Sequence, residues 1–339
     1  VAERPVYASV FGPLAIGLDY HADRWVQASR LDQALPPFVD PTYPPNVGDW
    51  FISKATERLL DFSDMVFPTV EAGPETWDYV NERCAALIVK GGNYLHPGGL
   101  LATAIGAEVL DRVRIPVVVI GAGVQAPAGT DVRFGREDVE LFERIVATGG
   151  GFSLRGHQSA EALARVGIDA VDVTGCPTLL WSRRPELRLR RPGRDRAVFT
   201  FRQFFYERQQ ELVAHQFRAI DLARSRFGSL RLALQGEEVA LQRLFQARRW
   251  GAEFAGRCTK DDELQLYRLV REPLDADVLD AQVRAQLRGA ASDEQIDWAI
   301  EHAFFSWDIT DYLDLFREVD LVTGCRLHGN LLAIASGTP

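Results

Sequence analysis

Lysine is nearly missing from this chain: of 38 basic side chains only Lys54, Lys90 and Lys260 are lysine, and the rest are arginine. Positive charge is also in the minority. Against 47 acidic side chains it leaves a formal net charge of −9, which excludes a general nucleic-acid binder, since such proteins present a net basic face. No run of about 18 apolar residues occurs, so no helix is expected to span a membrane. The opening "VAERPVYASV" lacks a charged segment followed by an apolar one, so no signal peptide is read there; a leader removed ahead of Val1 stays open. Cysteine is sparse. Cys84, Cys176, Cys258 and Cys325 have no metal-ligand spacing and three of them flank apolar segments, which points to reduced, buried thiols. G-x-x-x-x-G-K-[ST], H-E-x-x-H and G-x-S-x-G are all absent. The acid pairs Asp308/Asp311 and Asp261/Asp262 have no histidine nearby and read as helix caps or solvated faces, so no tightly held metal is expected.

What is present suits a folded α/β protein. The chain has 339 residues, 47% hydrophobic and 25% charged, enough for two domains of about 100–200 residues each. Short apolar runs alternate with amphipathic ones, the pattern of a mainly parallel sheet with crossover helices. In the first half the expected strands are "PVYASVFG", "AALIVKGG", "IPVVVIGAG" and "DAVDVTG". The expected helices are 49–62, 137–150 and 157–168, the last stopped by Gly167. Residues 183–196, "RRPELRLRRPGRDR", break the pattern and read as a linker. The alternation then restarts. "RAVFTFRQF" and "SLRLALQG" read as strands, 209–228 and 237–250 as helices, and 256–300 as a charged, irregular region. A helix (308–319), the strand "DLVTG" and a closing helix follow. Two Rossmann-like, doubly wound domains, 1–182 and 197–339, are expected to face a cleft. A further C-terminal segment is expected beyond "SGTP".

Chemistry concentrates where strands give way to helices. In "DLVTGCRLHGNLLAIASG" an apolar strand ends in glycine, and Arg326 and His328 stand at the mouth of the next helix. Such a loop points unpaired N–H groups and a positive dipole end at a ligand. Arginine adds a planar fork for carboxylate or phosphate, and histidine a proton near neutral pH. Leu327 and Gly329 complete the turn. The bland alternative pairs Arg326 with an acid and makes His328 a helix cap. Arg155 occupies an equivalent place in "GGGFSLRGHQSAEAL", where Gln158 or Ser159 is suited to cap the helix and His157 reads as an exposed neighbour. Three more turns share that edge: Asn46, Gly48 and Asp49 in "NVGDWFISKAT", Gly91, Gly92 and Asn93 in "VKGGNYLHPGG", and Gly121 and Gly123 in "VIGAGVQAP". The fragment "GAGVQA" fits G-x-G-x-x-A on paper. Pro127 and a polar loop follow it instead of a helix, and no acidic strand end lies about 20 positions on, so dinucleotide binding is not expected.

Taken together, these residues resemble the polysaccharide pyruvyl transferase family over nearly the whole chain. "NVGD" matches its N-x-G-D turn and "GGNYL" its glycine turn after a strand. "GAGVQ" follows, then "LRGHQSAEALARVGI", and last "RLHGNLLAIASGTP" with the R-L-H and G-x-P elements. The resemblance implies two Rossmann-like domains in a GT-B-like arrangement. It implies a phosphoenolpyruvate donor, no cofactor, and a pyruvate ketal placed on a sugar of a cell-surface or secreted glycan, free or lipid-linked. Arg155 and Arg326 would hold the donor's phosphate and carboxylate, and His328 would be the acid–base residue. The remaining turn residues named above would bind substrate. It also implies a cytoplasmic, bacterial protein. Association with the inner membrane surface and homo-oligomerisation stay open. Two departures stand out: Cys176-Pro177 replaces the family's Asp-Pro, and the family's basic segment after G-x-P is not in this sequence. Residues 13–45 read as a variable loop that shapes the acceptor pocket. Two other readings remain: a nucleotide-sugar glycosyltransferase, with Glu237 or Glu238 on the ribose, and a non-catalytic glycan-binding protein on the same fold.

Overall fold

The computed structural model describes residues 5–11, 47–66, 73–96, 100–124, 131–182, 188–202, 209–235, 239–250, 255–261, 266–272, 275–306 and 309–339, with 68, 126 and 186 as single positions. Asn46, Pro127, Glu237, Glu238, Asp262, Asp308 and the expected acceptor loop at 13–45 lie outside these residues, as do the side chains of Asp49 and Cys258. The chain is α/β and divides into two compact units. One is built mainly from Ile52–Trp181 together with the first strand, the other mainly from Ser182 onward.

The first unit holds β1 (Val6–Phe11), β2 (Asp64–Val66), β3 (Cys84–Lys90), β4 (Val117–Ala122), β5 (Gly151–Leu154) and β6 (Val171–Val173). They form one sheet in the order β2-β1-β3-β4-β5-β6, and every neighbouring pair is parallel. The helices are α1 (Val47–Leu59), which belongs to this unit from Ile52 onward and to the second unit before it, α2 (Pro74–Arg83), α3 (Leu100–Arg112), α4 (Arg136–Ala147) and α5 (His157–Ala164). β3 is buried at every position but one, which is why its sequence is a continuous apolar run instead of an alternating one. α4 turns Leu141, Phe142 and Ile145 inward. Phe142 meets the edges of Phe134 and Phe152 at centroid distances of 5.1 and 5.8 Å.

The second unit holds β7 (Arg196–Thr200) and β8 (Ser229–Ala233), then a separate two-stranded sheet of β9 (Ala255–Asp261) and β10 (Leu266–Glu272), then β11 (Ala303–Phe304) and β12 (Leu321–Gly324). The main sheet runs β11-β8-β7-β12 and is parallel throughout. Its helices are α6 (Gln209–Arg224), α7 (Val239–Trp250), α8 (Ala276–Leu287), α9 (Asp293–His302), α10 (Ile309–Arg317) and α11 (Leu327–Ala335). In both sheets the winding reverses beside the first strand, between β1 and β3 in one and between β7 and β12 in the other. Ligands of such sheets lie past the carboxyl ends of the strands at that reversal.

Three expectations change. Residues 256–300 are not irregular: they carry β9, β10, α8 and α9. The charged faces of α8 and α9 hide a regular apolar stripe, Leu279, Val283 and Leu287 in α8. Both helices begin with explicit caps. Asp275 Oδ1 accepts from the amides of Asp277 and Val278, and Ser292 and Gln295 cap each other reciprocally. Second, β2, α2 and α3 stand where the sequence reading names no element. Third, Cys84 and Cys176 are buried but Cys325 is exposed, because it sits in the turn after β12 and not in the core.

The arginine-rich segment falls in the second unit and makes specific contacts within it. Arg190 donates from Nη1 to Arg317 O (2.8 Å) and from Nη2 to Val319 O (3.0 Å) and Thr338 Oγ1 (2.5 Å), so it closes the carbonyl end of α10. Asp320 Oδ2 accepts from the amides of Asp195 and Arg196, both at 3.0 Å. Those two bonds hold the Asp320 carboxyl below its usual range.

Candidate functional site

In the first unit the carboxyl ends of β3, β4 and β5 are laced together. Gly91 and Gly92, both buried, follow β3, and Asn93 is exposed. Gly123 N donates to Gly92 O (2.9 Å), Leu95 N to Gly123 O (3.1 Å) and Arg155 N to Ala122 O (2.8 Å). β4 is irregular between Ile120 and Ala122, and Gly121 there has φ +75°. Any side chain would be strained at that φ, and its Cβ would lie 2.4 Å from Pro177 Cδ.

Arg155 is the fastener of this edge. Its Nε donates to Gly121 O (2.7 Å) and its Nη1 to Asn93 Oδ1 (2.8 Å). Nη2 is buried and has no hydrogen-bond partner among the described residues. Two of the three guanidinium nitrogens are therefore already engaged in holding the strand ends together. Ser159 does not cap α5. Gly156 is the cap residue and has no side chain to cap with, while the buried Ser159 Oγ accepts from Val124 N at 3.1 Å. The serine ties the glycine-rich end of β4 to the first turn of α5. His157 is exposed, as expected.

The same unit contains a cluster that the sequence reading did not single out. Lys90, the last residue of β3, is 2% exposed, and its Nζ is 2.5 Å from Glu57 Oε1 on α1. Lys54 Nζ lies 3.2 Å from Glu57 Oε2. Burial alone would raise the Glu57 carboxyl, but the charges of Lys90 and Lys54 outweigh it and hold the group below its ordinary value. Burial also pushes the Lys90 ammonium down, with Glu57 opposing. The available signal was the scarcity of lysine itself: two of the chain's three lysines meet on one carboxylate. Gly48 is buried near the start of the same helix α1.

In the second unit the reversal between β7 and β12 carries Arg326, Leu327, His328 and Gly329. Arg326 is the cap residue of α11 and is 4% exposed. Its backbone N–H donates to Thr200 Oγ1 (3.2 Å) and its Nε to Phe201 O (3.1 Å). These bonds, and not an acid, are the ones seen at its backbone and Nε. Leu327 is 58% exposed, His328 is half-buried and Gly329 buried in the first turn of α11. Gly324, with φ +130°, brings β12 so close to β7 that a Cβ there would lie 2.5 Å from Thr200 O.

Arg202, two residues past β7, was also not singled out. A buried glutamine pins its backbone, with Gln216 Oε1 accepting from Arg202 N (2.9 Å) and Gln216 Nε2 donating to Arg202 O (2.7 Å). Shielding by surrounding protein raises the Cys325 thiol although the residue reaches solvent, and the positive charges of Arg202 and Arg326 oppose that rise. Two arginines thus act on one turn.

The predicted residues fall into two sets. Gly91, Gly92, Asn93, Gly121, Gly123, Arg155 and Ser159 belong to the first unit. Gly48, Arg326, Leu327, His328 and Gly329 belong to the second. Among the described residues no three His, Cys, Asp or Glu side chains group as a metal site would require, and no helix is long and apolar enough to cross a membrane.

The arginine, histidine and glycine turns of this α/β chain thus stand past the carboxyl ends of parallel strands, where sheets of this kind bind ligands. Comparison with family sequence models narrows the class. The model of polysaccharide pyruvyl transferase matches residues 20–339, nearly the whole chain, and the chain belongs to that family. A comparison with curated proteins finds no match.

Proposed function

We propose that this protein transfers the pyruvyl group of phosphoenolpyruvate to a sugar of a cell-surface or secreted glycan, free or lipid-linked, as a cyclic ketal. Two observations support the reading: membership of the polysaccharide pyruvyl transferase family, and the buried Arg326 next to His328 at the amino end of α11. The two units act as Rossmann-like domains in a GT-B-like arrangement, split at the segment 183–196. Arg155 and Arg326 address one cleft between them. The enzyme is cytoplasmic and needs no cofactor.

The reaction balances as follows. His328, or a group it orients, delivers a proton to the methylene carbon, which becomes the methyl group, and C2 becomes electrophilic. One sugar hydroxyl adds at C2 and gives up its proton. The C2–O bond to phosphate breaks. A neighbouring hydroxyl adds in its place and loses its proton, so the two hydroxyl protons end on the methyl group and on the released phosphate. Arg326 and the N–H groups of α11 stabilise charge on the departing phosphate, a contribution of about 2.7–4 kcal/mol for one well-placed donor. Proton transfer by an imidazole contributes roughly 10²–10⁴-fold. The Arg155 Nη2 group is left for the donor's other anionic end.

The test is phosphate release from phosphoenolpyruvate by purified protein. Release that depends on a glycan acceptor, with the acceptor gaining the mass of a pyruvate ketal, supports the reading. Binding of a glycan with no release in the presence of any acceptor overturns it in favour of a non-catalytic role. Turnover of a nucleotide-sugar in its place overturns it in favour of a glycosyltransferase.

A further inference from the structure

The turn that carries Arg326 and His328 is held by two polar side chains not singled out above. Thr200 ends β7 and is fully buried. Its carbonyl accepts from Cys325 N at 2.8 Å. Its hydroxyl accepts from Arg326 N at 3.2 Å and donates to Asn330 Oδ1 at 2.9 Å. Asn330, one turn into α11, donates from Nδ2 to Gly324 O at 3.0 Å, and its backbone N–H bonds Arg326 O at 3.0 Å. A closed ring results. It runs from the end of β7 through the Asn330 amide to the end of β12 and back through Arg326.

The chemistry of the ring is fully committed. A hydroxyl has one donor and an amide side chain has distinct donor and acceptor ends. Because the Thr200 proton goes to Asn330 Oδ1, the Asn330 amide is oriented with Nδ2 toward Gly324. Valine at 200 would keep the shape but leave the buried Arg326 N–H and the half-buried Asn330 Oδ1 without their partner. Serine would keep every bond. Groups that bind or react must be held by neighbours whose own conformations are locked, and here the lock is the Thr200–Asn330 pair.

We propose that Thr200 and Asn330 are positioning residues for the donor anion. They touch no substrate; they fix the cap residue of α11 so that Arg326 and His328 meet the bound ester in one geometry. The proposal rests on the phosphoenolpyruvate reading above. It predicts that Thr200→Val and Asn330→Ala weaken phosphoenolpyruvate binding about ten- to a hundredfold, the range expected when buried hydrogen-bonding groups lose their partners. Thr200→Ser should stay within about threefold of the parent.

Two readouts test it on the full chain. The first is calorimetric titration with phosphoenolpyruvate. The second needs no ligand: Cys325 lies in the same turn and is exposed, so its alkylation rate, located by peptide mass mapping, reports how firmly the turn is held. Faster alkylation and weaker binding in Thr200→Val, both restored in Thr200→Ser, support the proposal. Unchanged binding and unchanged alkylation overturn it, whatever the melting temperature does. If the parent protein binds no phosphoenolpyruvate, the functional reading fails, and the alkylation rates alone then decide: faster in the valine variant supports the lock, equal rates reject it. Should Thr200→Val not fold, Asn330→Ala carries the same comparison.

Discussion

Lys90 Nζ lies 2.5 Å from Glu57 Oε1, and the two residues belong to segments that each carry a glycine motif. Glu57 is on α1, which contains Gly48 near its start. Lys90 ends β3 directly before Gly91 and Gly92. One buried ion pair therefore sets the register between the N-x-G-D helix and the glycine turn. Buried ion pairs contribute less to net stability than their geometry suggests, and registry is their best-attested use.

Removing one partner should cost far more than removing both. Glu57→Gln leaves the Lys90 ammonium buried without its carboxylate, and the expected loss is about 3–5 kcal/mol. Glu57→Met combined with Lys90→Met should recover most of that loss. Urea unfolding of the single and double variants measures the coupling, and strictly additive losses would show that the pair sets no register.

The same pair gives the protein an acid-side dependence. The folded pKa of Glu57 is lowered, so its contribution is complete above the ordinary carboxylate value and is lost as pH falls through the lowered folded value. Lys90 is lowered by burial, so its cost is full at neutral pH and is relieved only as pH rises toward the ordinary lysine range. Melting temperatures from pH 7 downward should therefore drop below pH of about 4. The drop should be shallower in Glu57→Gln, measured against its own value at pH 7.

Arg326→Lys should behave as a severe loss. Lysine keeps the charge but cannot repeat the Nε bond to Phe201 O together with a planar fork. Acceptor-dependent phosphate release should fall roughly 10²–10³-fold. A lysine variant close to wild type in steady-state kinetics would show that only charge is needed at this position.

Arg202→Met should slow the thiol of Cys325. The arginine's charge holds the thiol below where burial alone would put it, and its removal lets the pKa rise and shrinks the thiolate fraction. Alkylation of Cys325 at pH 8 should become slower, the opposite of the effect expected for Thr200→Val. The two variants thus separate an electrostatic change in the turn from a mechanical one.

Much of the architecture could be read from the chain because strand and helix periods alternate cleanly. "AALIVK" and "RAVFT" are apolar enough to be strands buried on both faces, and the Arg326–His328 turn stood out as charge between two apolar elements. Other features were hidden for physical reasons. The stripe of α8 is diluted by charge, although Asp275 and Ser292 announced α8 and α9. Ser159 reads as a cap, because serine near a helix start usually is one, yet its hydroxyl serves Val124 in the turn after β4. Neither Thr200 nor Asn330 stands out by residue type or spacing. Their role depends on two segments 126 positions apart in the chain meeting at one hydroxyl, which no local pattern records. Arg155 is legible as a cation at a strand end, but only the structure reveals that Gly121 and Asn93 already engage two of its three nitrogens.

That separation matters during synthesis. β7 is flanked by β8 early, but its other neighbour, β12, is made only near the end of the described chain, where Leu321 pairs with Ala197. Until then one side of β7 has no strand to receive it, and the hydroxyl of Thr200 has nothing to hold. Non-local parallel pairing of this kind is slow and leaves an unpaired edge exposed in the meantime. The newly made protein therefore acquires its arginine–histidine turn in a late, all-or-none docking of strand and helix. A ribosome-bound chain halted before β12 emerges would lack the Arg326–His328 turn altogether.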